Sequence, residues 1–268
     1  MPVLIVAPKR DTAAQNIARE LIRLRAFQPV PGRSGELLQD GDIFLKHVDS
    51  DGAYTESLGV DIRFDAVIFA SRHQSESSES SLTVHWTGNS TGRADFGGQP
   101  KALSLADPPR MRAALMALDE ARELGKLDYA VSLEATHHGP TGLDAPTLFI
   151  EIGSSEREWN NPPAAVAVAK AIWKAATGPV QGKVAVGFGG GHYCNKHCIA
   201  LRDNGYAFGH ILSKYFFEEY DEAVVRLAFK RTLGDCRTAV IDWKGVRGSD
   251  RAKLLDILKK MGVEIVRV

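Results

Sequence analysis

Short apolar runs alternate with amphipathic stretches along most of the chain. The apolar runs are typical of buried strands, and they predict strands at 3–7, 42–48, 65–70, 82–86, 129–133, 147–152, 184–188, 206–211, 238–243 and 263–268. Stretches with an apolar stripe at helical spacing and a capping residue predict helices at 11–25, 107–124, 160–176, 221–231 and 249–261. This alternation indicates an α/β protein with a mostly parallel sheet.

Two stretches depart from the alternation. No helical pattern separates residues 134 and 147, so the strands on either side of that connection are expected to make the sheet mixed. Residues 28–41 are rich in proline and glycine and are expected to form a loop. Because neither a repeat nor a boundary is evident, we expect a single domain over residues 1–268.

Composition and charge exclude several classes of protein. Hydrophobic residues make up 44% of the 268 residues, which is enough for a sizeable core and too many for a disordered chain. Lys+Arg and Asp+Glu both number 33, so bulk attraction to nucleic acid is not indicated, although a local basic face stays open. No apolar run reaches the roughly 20 residues that cross a bilayer, and the N-terminus lacks a signal-peptide pattern. We therefore expect no membrane association.

The three cysteines do not suggest a disulfide framework. Their number is odd, and Cys194 and Cys198 lie beside histidines. A reducing, cytoplasmic setting fits them better. Cys194, His197 and Cys198 would share one face of a helix and could bind a metal, or Cys194 could be a nucleophile, but cysteines at this spacing are more often simply buried.

A first polar cluster follows the strand predicted at 129–133. Its sequence, EATHHGPT at 134–141, contains a carboxylate and two adjacent histidines, and Gly139 and Pro140 then break regular structure. On a continuing strand, His137 and His138 would point to opposite faces, whereas in a loop both can turn toward one cleft. Two solvated histidines in a surface turn are the simpler interpretation of this segment taken alone.

A second cluster follows the strand predicted at 184–188. Gly189, Gly190 and Gly191 would expose backbone N–H groups suited to a phosphate or an oxyanion, and His192 comes next. The spacing matches neither the dinucleotide-binding nor the P-loop pattern. Because each cluster follows a strand, we expect one composite site at the ends of neighbouring strands.

Seven of the eight histidines lie near strand ends or in these clusters: His73, His85, His137, His138, His192, His197 and His210. Imidazole and carboxylate are zinc ligands, and zinc lowers the pKa of bound water to about 7. A metal-free general base oriented by Glu134 or Glu151 is an equal alternative, since no spacing here matches a standard zinc signature. Cationic side chains that could contact an anionic substrate are Arg72, Lys196, Arg202 and Lys214, although each alone is more often solvated.

These motifs closely resemble the archaeal- and plant-type D-aminoacyl-tRNA deacylases. The matching stretches are 71–73, 75–77, 82–85, 131–141, 151–154 with Trp159, 189–193, 208–210 and 242–245. The family has a small residue, a proline and a basic residue after Tyr193, where this chain has Cys194, Asn195 and Lys196. The resemblance implies a three-layer α/β/α fold similar to peptidyl-tRNA hydrolases and nucleoside phosphorylases. It also implies zinc dependence and hydrolysis of the ester between a D-amino acid and the terminal ribose of tRNA.

Motifs and resemblance together assign expected roles. The catalytic candidates are Glu134, His137, His138 and His192; the metal candidates are His137, His138, Glu151 and His192; the substrate-binding candidates are Arg72, His73, Thr141, Gly189, Gly190, Gly191 and His210. The expected partner is the acceptor end of aminoacyl-tRNA, bound by a monomer that releases a D-amino acid. A zinc peptidase or amidohydrolase, and a non-catalytic nucleotide- or phosphate-binding module, are the alternatives. No spacing of these residues explains a preference for D over L substrates.

Overall fold

The computed structural model describes residues 2–32, 36–76 and 79–268. Its strands are β1 Val3–Pro8, β2 Gln28–Pro29, β3 Leu37–Asp40, β4 Ile43–Val48, β5 Ala66–Gln74, β6 Ser81–Trp86, β7 Gly88–Asn89, β8 Ala102–Leu103, β9 Ala130–Leu133, β10 Thr147–Ser154, β11 Lys183–Phe188, β12 Tyr206–Leu212, β13 Thr238–Ile241 and β14 Glu264–Arg267. Its α-helices are α1 Thr12–Leu24, α2 Pro108–Gly125, α3 Glu156–Trp159, α4 Pro162–Thr177, α5 Asn195–Asn204, α6 Glu222–Arg231 and α7 Gly248–Lys260, with 3-10 helices at Gly52–Tyr54 and Lys214–Glu219.

The larger sheet has eight strands in the order β2-β3-β4-β1-β5-β10-β6-β9. Strands β4, β1, β5 and β10 run parallel to one another, whereas β6 is antiparallel to β10. Both faces of β1 are covered: Val3 and Ile5 pack into the core beneath helices α1, α2 and α4, and Leu4 and Val6 pack into a second core on the other face. Burial on both faces explains why such strands are apolar at every position.

The loop predicted at 28–41 is partly wrong. Leu37–Asp40 forms β3, which pairs antiparallel with β4, and β2 pairs in turn with β3 at the edge of the sheet. Only Leu37 of β3 is buried, so this edge strand carries too few apolar residues to give a strand pattern. Residues 33–35 of the predicted loop lie outside the described residues.

A second sheet is wholly parallel, with the order β12-β11-β13-β14. Helix α5 packs on one face, where Cys198 and Leu201 join the larger core. Helices α6 and α7 cover the opposite face through residues such as Val225 and Leu254. The predicted mixed, mostly parallel α/β fold with three layers is confirmed. Strands β7 and β8 pair with each other, and the other strands divide between two sheets that share one core.

The segment after β9 joins the two sheets. The Glu134 amide donates to the Val84 carbonyl of the larger sheet at 3.0 Å. The next two amides donate to the side of the second sheet. The Ala135 amide donates to the His192 carbonyl and the Thr136 amide donates to the Ile211 carbonyl, each at 2.9 Å. We call residues 134–136 the seam. Among the described residues, no helix is long and apolar enough to cross a membrane.

Candidate active site

Strand pairing brings chemically active side chains from both sheets to the seam. Glu151 of β10 lies opposite Thr83 of β6, and His85 lies two residues further on the same face of β6. His73 of β5 lies opposite Gly153 of β10, on the face of the sheet that also carries Glu151. The second sheet contributes His192 from the loop after β11.

Glu134 is the buried carboxylate at the centre of this arrangement. Its Oε1 lies 3.2 Å from His73 Nδ1, and its Oε2 lies 3.0 Å from His192 Nε2 and 3.6 Å from His137 Nε2. Neither oxygen receives a hydrogen bond of good geometry from the part of the chain that the structure describes. A buried carboxylate surrounded by imidazole nitrogens, with both oxygens unsatisfied, is suited to hold a cation or to orient a base.

A second buried carboxylate, Glu151, lies beside the first. Its Oε2 is 3.3 Å from Thr83 Oγ1, 3.5 Å from His73 Nδ1 and 3.7 Å from His85 Nε2. Burial opposes ionisation, but His73 and His85 outweigh it and hold the pKa of Glu151 well below its usual value. Burial likewise disfavours charge on His73, yet the two carboxylates raise its pKa to about 9. This side of the site is therefore ionic at neutral pH.

The two adjacent histidines, His137 and His138, are uncharged, in contrast to the ionic side of the site. Burial, reinforced by the neighbouring His85, lowers the pKa of His137 well below its usual value and that of His138 to about 4. His137 Nδ1 lies 2.8 Å from the Ala135 carbonyl, and His138 Nδ1 lies 2.5 Å from the Gly139 carbonyl. A carbonyl can only accept, so each Nδ1 carries the proton and each Nε2 keeps a lone pair. Both rings are neutral ligands or bases.

Backbone conformation explains how two adjacent histidines reach one place. His138 has a φ of 42°, in the left-handed region that non-glycine residues seldom adopt. The ring centroids of His137 and His138 are consequently only 4.5 Å apart. The predicted turn of both imidazoles toward one cleft matches this geometry, and a sparsely populated conformation at such a position is typical of a functional site.

His85 lies at the site although it is not among the predicted site residues. This fully buried ring lies 4.1 Å from His137 and 4.8 Å from His138 between centroids. Its Nδ1 is 3.2 Å from the Trp86 carbonyl, whereas its Nε2 has no hydrogen-bond partner among the described residues. Thr83 and His85 are two polar residues at strand spacing in an otherwise apolar segment, and that signal was available in the sequence.

Tyr193 is a second residue without an assigned role. Its hydroxyl lies 2.8 Å from His73 Nε2, on the opposite side of the ring from the two carboxylates. The phenol therefore fixes the orientation of His73 between Glu134 and Glu151.

The donor atoms fit a divalent cation. Three groups of residues each bring one ligand atom to within 4.8 Å of the others: His85, His137 and His138; His73, Glu134 and His192; His85, Glu134 and Glu151. In the first group every Nδ1 faces a backbone carbonyl, so Nε2 is the nitrogen directed toward a ligand, which is the usual arrangement of metal-binding histidines. Imidazole nitrogen with carboxylate oxygen is a donor set that zinc accepts.

The site opens into a cavity of about 450 Å³, which we call the histidine cavity. His137, His138 and His192 line it together with Phe96, Tyr215, Glu218 and the chain around Gly88–Thr91. Glu134, Glu151 and His85 are buried behind these histidines. A small group could therefore reach the neutral imidazoles while the carboxylates stay shielded from water.

The chain is similar to known proteins over nearly its whole length. The sequence profile of the D-aminoacyl-tRNA deacylase family matches residues 60–266. The chain is 37% identical to the D-aminoacyl-tRNA deacylase of Methanosarcina acetivorans over 99% of this chain and 92% of that protein. This protein belongs to the D-aminoacyl-tRNA deacylase family. The family member from Pyrococcus furiosus is 35% identical over 98% of this chain and 99% of its own length.

A solved structure supports the same fold. A conserved protein of unknown function superposes on this family member with a TM-score of 0.91 and 32% identity, covering 99% of this chain and 95% of that one. The TM-score and the coverage show that the two chains share this fold over nearly their whole length.

Two predicted substrate-binding residues do not face the histidine cavity in this deacylase-family chain. His210 is fully buried, with Nδ1 3.1 Å from Thr136 Oγ1 and Nε2 3.0 Å from the Ser104 carbonyl, so both ring nitrogens are occupied. Arg72 follows the strand alternation and lies on the opposite face from His73, its guanidinium 5.4 Å from the Trp159 ring. His210 therefore supports the seam through Thr136, and Arg72 lies outside the cavity.

The remaining predicted substrate-binding residues lie at three places. His73 is buried among the carboxylates, as described above. Thr141 is also buried, and its Oγ1 accepts the Gln99 amide at 2.9 Å. Gly189 packs against Val246, whereas Gly190 and Gly191 line a separate cleft.

The cysteines lie in the core. Cys194 and Cys198 are buried and free, and burial raises the pKa of both thiols. The Leu133 amide donates to Cys198 Sγ at 3.1 Å. In the described part of the chain no candidate metal group includes a cysteine, so the buried interpretation of this spacing fits the structure better than a ligand or a nucleophile.

Proposed function

We propose that the histidine cavity hydrolyses the ester between a D-amino acid and the terminal ribose of tRNA. The observation that carries this proposal is the pairing of neutral imidazoles with two buried, ionised carboxylates at the floor of an open cavity. Ester hydrolysis needs a water made nucleophilic and a group that takes up and returns its proton. Membership of the deacylase family supports the choice of aminoacyl-tRNA as the ester.

Glu134 and His192 form the acid–base pair in this proposal. Nε2 of His192 lies 3.0 Å from Glu134 Oε2, so in the proposed reaction the negative carboxylate favours a proton on Nε2, and Nδ1 is the nitrogen that accepts a proton from water. His192 takes a proton from water as the hydroxide adds to the ester carbonyl. It then returns that proton to the departing ribose oxygen, while Glu134 stabilises the intermediate imidazolium. The products are a free D-amino acid and tRNA.

The group of His85, His137 and His138 is the proposed metal-binding set. Nδ1 of each ring faces a carbonyl, of Trp86, Ala135 and Gly139, so Nε2 is the nitrogen that would bind the metal. Burial opposes charge on His85, but Glu151 raises its pKa, so that ring would release its Nε2 proton when the metal binds. Zinc held there would polarise the ester carbonyl and lower the pKa of a bound water to about 7. The predicted ligands His137 and His138 belong to this set, whereas Glu151 supports it through His85.

Matched D- and L-aminoacyl-tRNA, each assayed with and without a chelator, test the proposal. We expect release of the D-amino acid by untreated protein, and strong loss of turnover after chelation that added zinc reverses. Turnover of small peptides without turnover of either aminoacyl-tRNA would favour the peptidase alternative. Binding of nucleotides without any turnover would favour the non-catalytic module.

Several expectations stay predictions. They are the cytoplasmic location, the monomeric state, the single domain over residues 1–268 and the use of the glycine loop to stabilise an oxyanion. The core shared by the two sheets supports the single domain. Gly191 precedes His192 directly and has open space around its Cα, which supports a role for its amide close to the reacting ester.

A further inference from the structure

A second cleft, of about 930 Å³, lies at the carboxyl ends of the second sheet. The segments that follow β11, β12 and β13 all contribute to it, through Gly190 and Gly191, Lys214, and Asp242 with Lys244. Strand β11 lies between β12 and β13, so the chain passes from β11 to β12 on one side and then crosses back to β13 on the other side. Parallel sheets bind ligands where the strand order reverses in this way. We call this space the basic cleft.

Four cations line the basic cleft, namely Lys196, Lys214, Lys244 and Arg247. All four are exposed, and within the described residues none of them forms an ion pair. Three carboxylates also line the cleft, and one of them, Asp242, already accepts the Gly245 amide at 3.0 Å. Since the whole chain has no net charge, this group of unpaired cations is a local basic face.

The backbone at the cleft also suits an anion. Gly190 has a φ of 81°, and a Cβ added to Gly191 would meet no atom within 4 Å, so a ligand can approach this loop closely. The N-terminus of α7, a helix of 13 residues, begins at the cleft, with Ser249 and Asp250 in its lining. Helix N-termini present free amides and a partial positive charge.

The basic cleft adjoins the histidine cavity. Tyr215 and Glu218 line both spaces, and Gly191 of the cleft directly precedes His192 of the cavity. Tyr215 is 51% exposed, and Lys214 Nζ lies 5.2 Å from the centroid of its ring. An exposed aromatic ring beside unpaired cations is typical of surfaces that bind single-stranded nucleic acid, because bases stack on the ring and phosphates contact the cations.

We propose that the basic cleft binds the phosphates of the nucleotides that precede the terminal ribose, with Tyr215 stacking against one of their bases. This proposal rests on the proposed function, since it assumes that the ester of the same molecule occupies the histidine cavity. Cation contacts in the cleft hold the acceptor strand, and the shared wall at Tyr215 directs its 3′ end toward His192. The cleft thus recognises the RNA, while the cavity carries out the reaction.

The test compares two esters that share the D-amino acid and the terminal adenosine, and only one of them carries the preceding nucleotides with their phosphates. One is a D-aminoacyl-tRNA, and the other is the ester of the same D-amino acid with adenosine. For the paired substitution Lys244→Ala and Arg247→Ala, we expect KM for aminoacyl-tRNA to rise about tenfold or more, with kcat unchanged. The slope of log(kcat/KM) against log[salt] is negative, and it should become shallower by about 0.7 for each lost phosphate contact. Turnover of the adenosine ester should be the same in the wild-type protein and the double variant, because that ester has no phosphate.

Two further measurements complete the test. Lys259→Ala, at the far end of the same helix, is the matched control and should leave both substrates unaffected. Tyr215→Ala should also weaken binding of uncharged tRNA, measured by fluorescence anisotropy, by about 5-fold to 100-fold. Equal effects on both esters, or unchanged tRNA binding in all cleft variants, would overturn the proposal. If wild-type protein hydrolyses neither ester, the proposed function fails, and the anisotropy measurement still decides whether the cleft binds RNA.

Discussion

Nε2 of His192 lies 3.0 Å from Oε2 of Glu134, although the two residues come from different sheets. Glu134→Gln keeps the shape of the side chain and removes its charge, so it can no longer stabilise an imidazolium on His192. We expect the deacylation rate to fall by about 10² or more. Single-turnover rates measured beside a melting curve test this, with Glu120→Gln on the exposed face of α2 as the control. A folded Glu134→Gln protein with a wild-type rate would contradict the assigned role.

The double histidine gives the second prediction. His137→Ala and His138→Ala each remove one neutral imidazole from the cavity, so turnover should fall by about 10²–10⁴. Both rings border the cavity, and among the described aromatic rings of the hydrophobic core His138 contacts only Phe149, so the change in unfolding free energy should be modest. Steady-state kinetics and urea unfolding measure the two effects, and His47→Ala, outside the site, serves as the control. Near wild-type turnover in both variants would shift the catalytic role to the loop that carries His192.

Metal content gives the third prediction. We expect elemental analysis to detect zinc in the wild-type protein, and His85→Asn to reduce zinc affinity by about 10-fold to 100-fold or more. The reason is that His85 Nε2 is a buried nitrogen without another partner among the described residues. His197→Asn removes another buried histidine outside the site and should retain the metal. Equal zinc content in the wild-type protein, the His85→Asn variant and the His197→Asn variant would exclude His85 as a ligand.

Tyr193→Phe is the fourth prediction. The substitution removes the hydroxyl that lies 2.8 Å from His73 Nε2, so His73 is held less firmly against the two carboxylates. Loss of such a supporting contact should lower kcat by about tenfold or more while KM stays nearly constant. Tyr220→Phe removes a hydroxyl that donates to the Lys253 carbonyl instead of contacting a site histidine, and it should have no effect. A change confined to KM would instead indicate that Tyr193 contacts the substrate.

Acid should destabilise the fold through His197. Burial lowers the pKa of this residue to about 4, below the value of about 6.5 in an unfolded chain. The unfolded state therefore binds the proton first, and stability that is complete above pH 6.5 is lost as the pH falls toward 4. One such group removes roughly 2 kcal/mol between pH 7 and pH 5. Urea unfolding at several pH values should show a shallower dependence for His197→Asn, and parallel curves would refute the assignment.

Local sequence predicted most of the elements and could not predict how they pair. The apolar run at 3–7 identifies β1 because both faces of that strand are buried. Strand β3 was missed because only Leu37 is buried there. The division into two sheets also escaped prediction, since parallel strands of either sheet have the same apolar pattern, and pairing joins residues far apart in the chain.

The candidate site shows the same limit. Glu134, His137, His138 and His192 were expected to meet, and the structure brings them together. The predicted roles differ from the structure where the role depends on which face of a strand a residue lies on, or on how deeply its side chain is buried. Arg72 lies one residue from His73 and therefore on the other face. His210 and His85 are both buried, yet only His85 lies against His137, in the proposed metal-binding set.

The seam has a consequence for partly folded chains. The Glu134 amide is bonded within one sheet, and the amides of Ala135 and Thr136 are bonded to the other. His192 can meet Glu134 only after both sheets have formed and docked. With the proposed roles of these two residues, we expect a nascent chain that has folded just its first sheet to be inert toward esters, so that activity appears only in the fully assembled protein. During gradual denaturation, activity should disappear together with the protection of the Ala135 and Thr136 amides against hydrogen exchange, before either sheet has lost all its secondary structure.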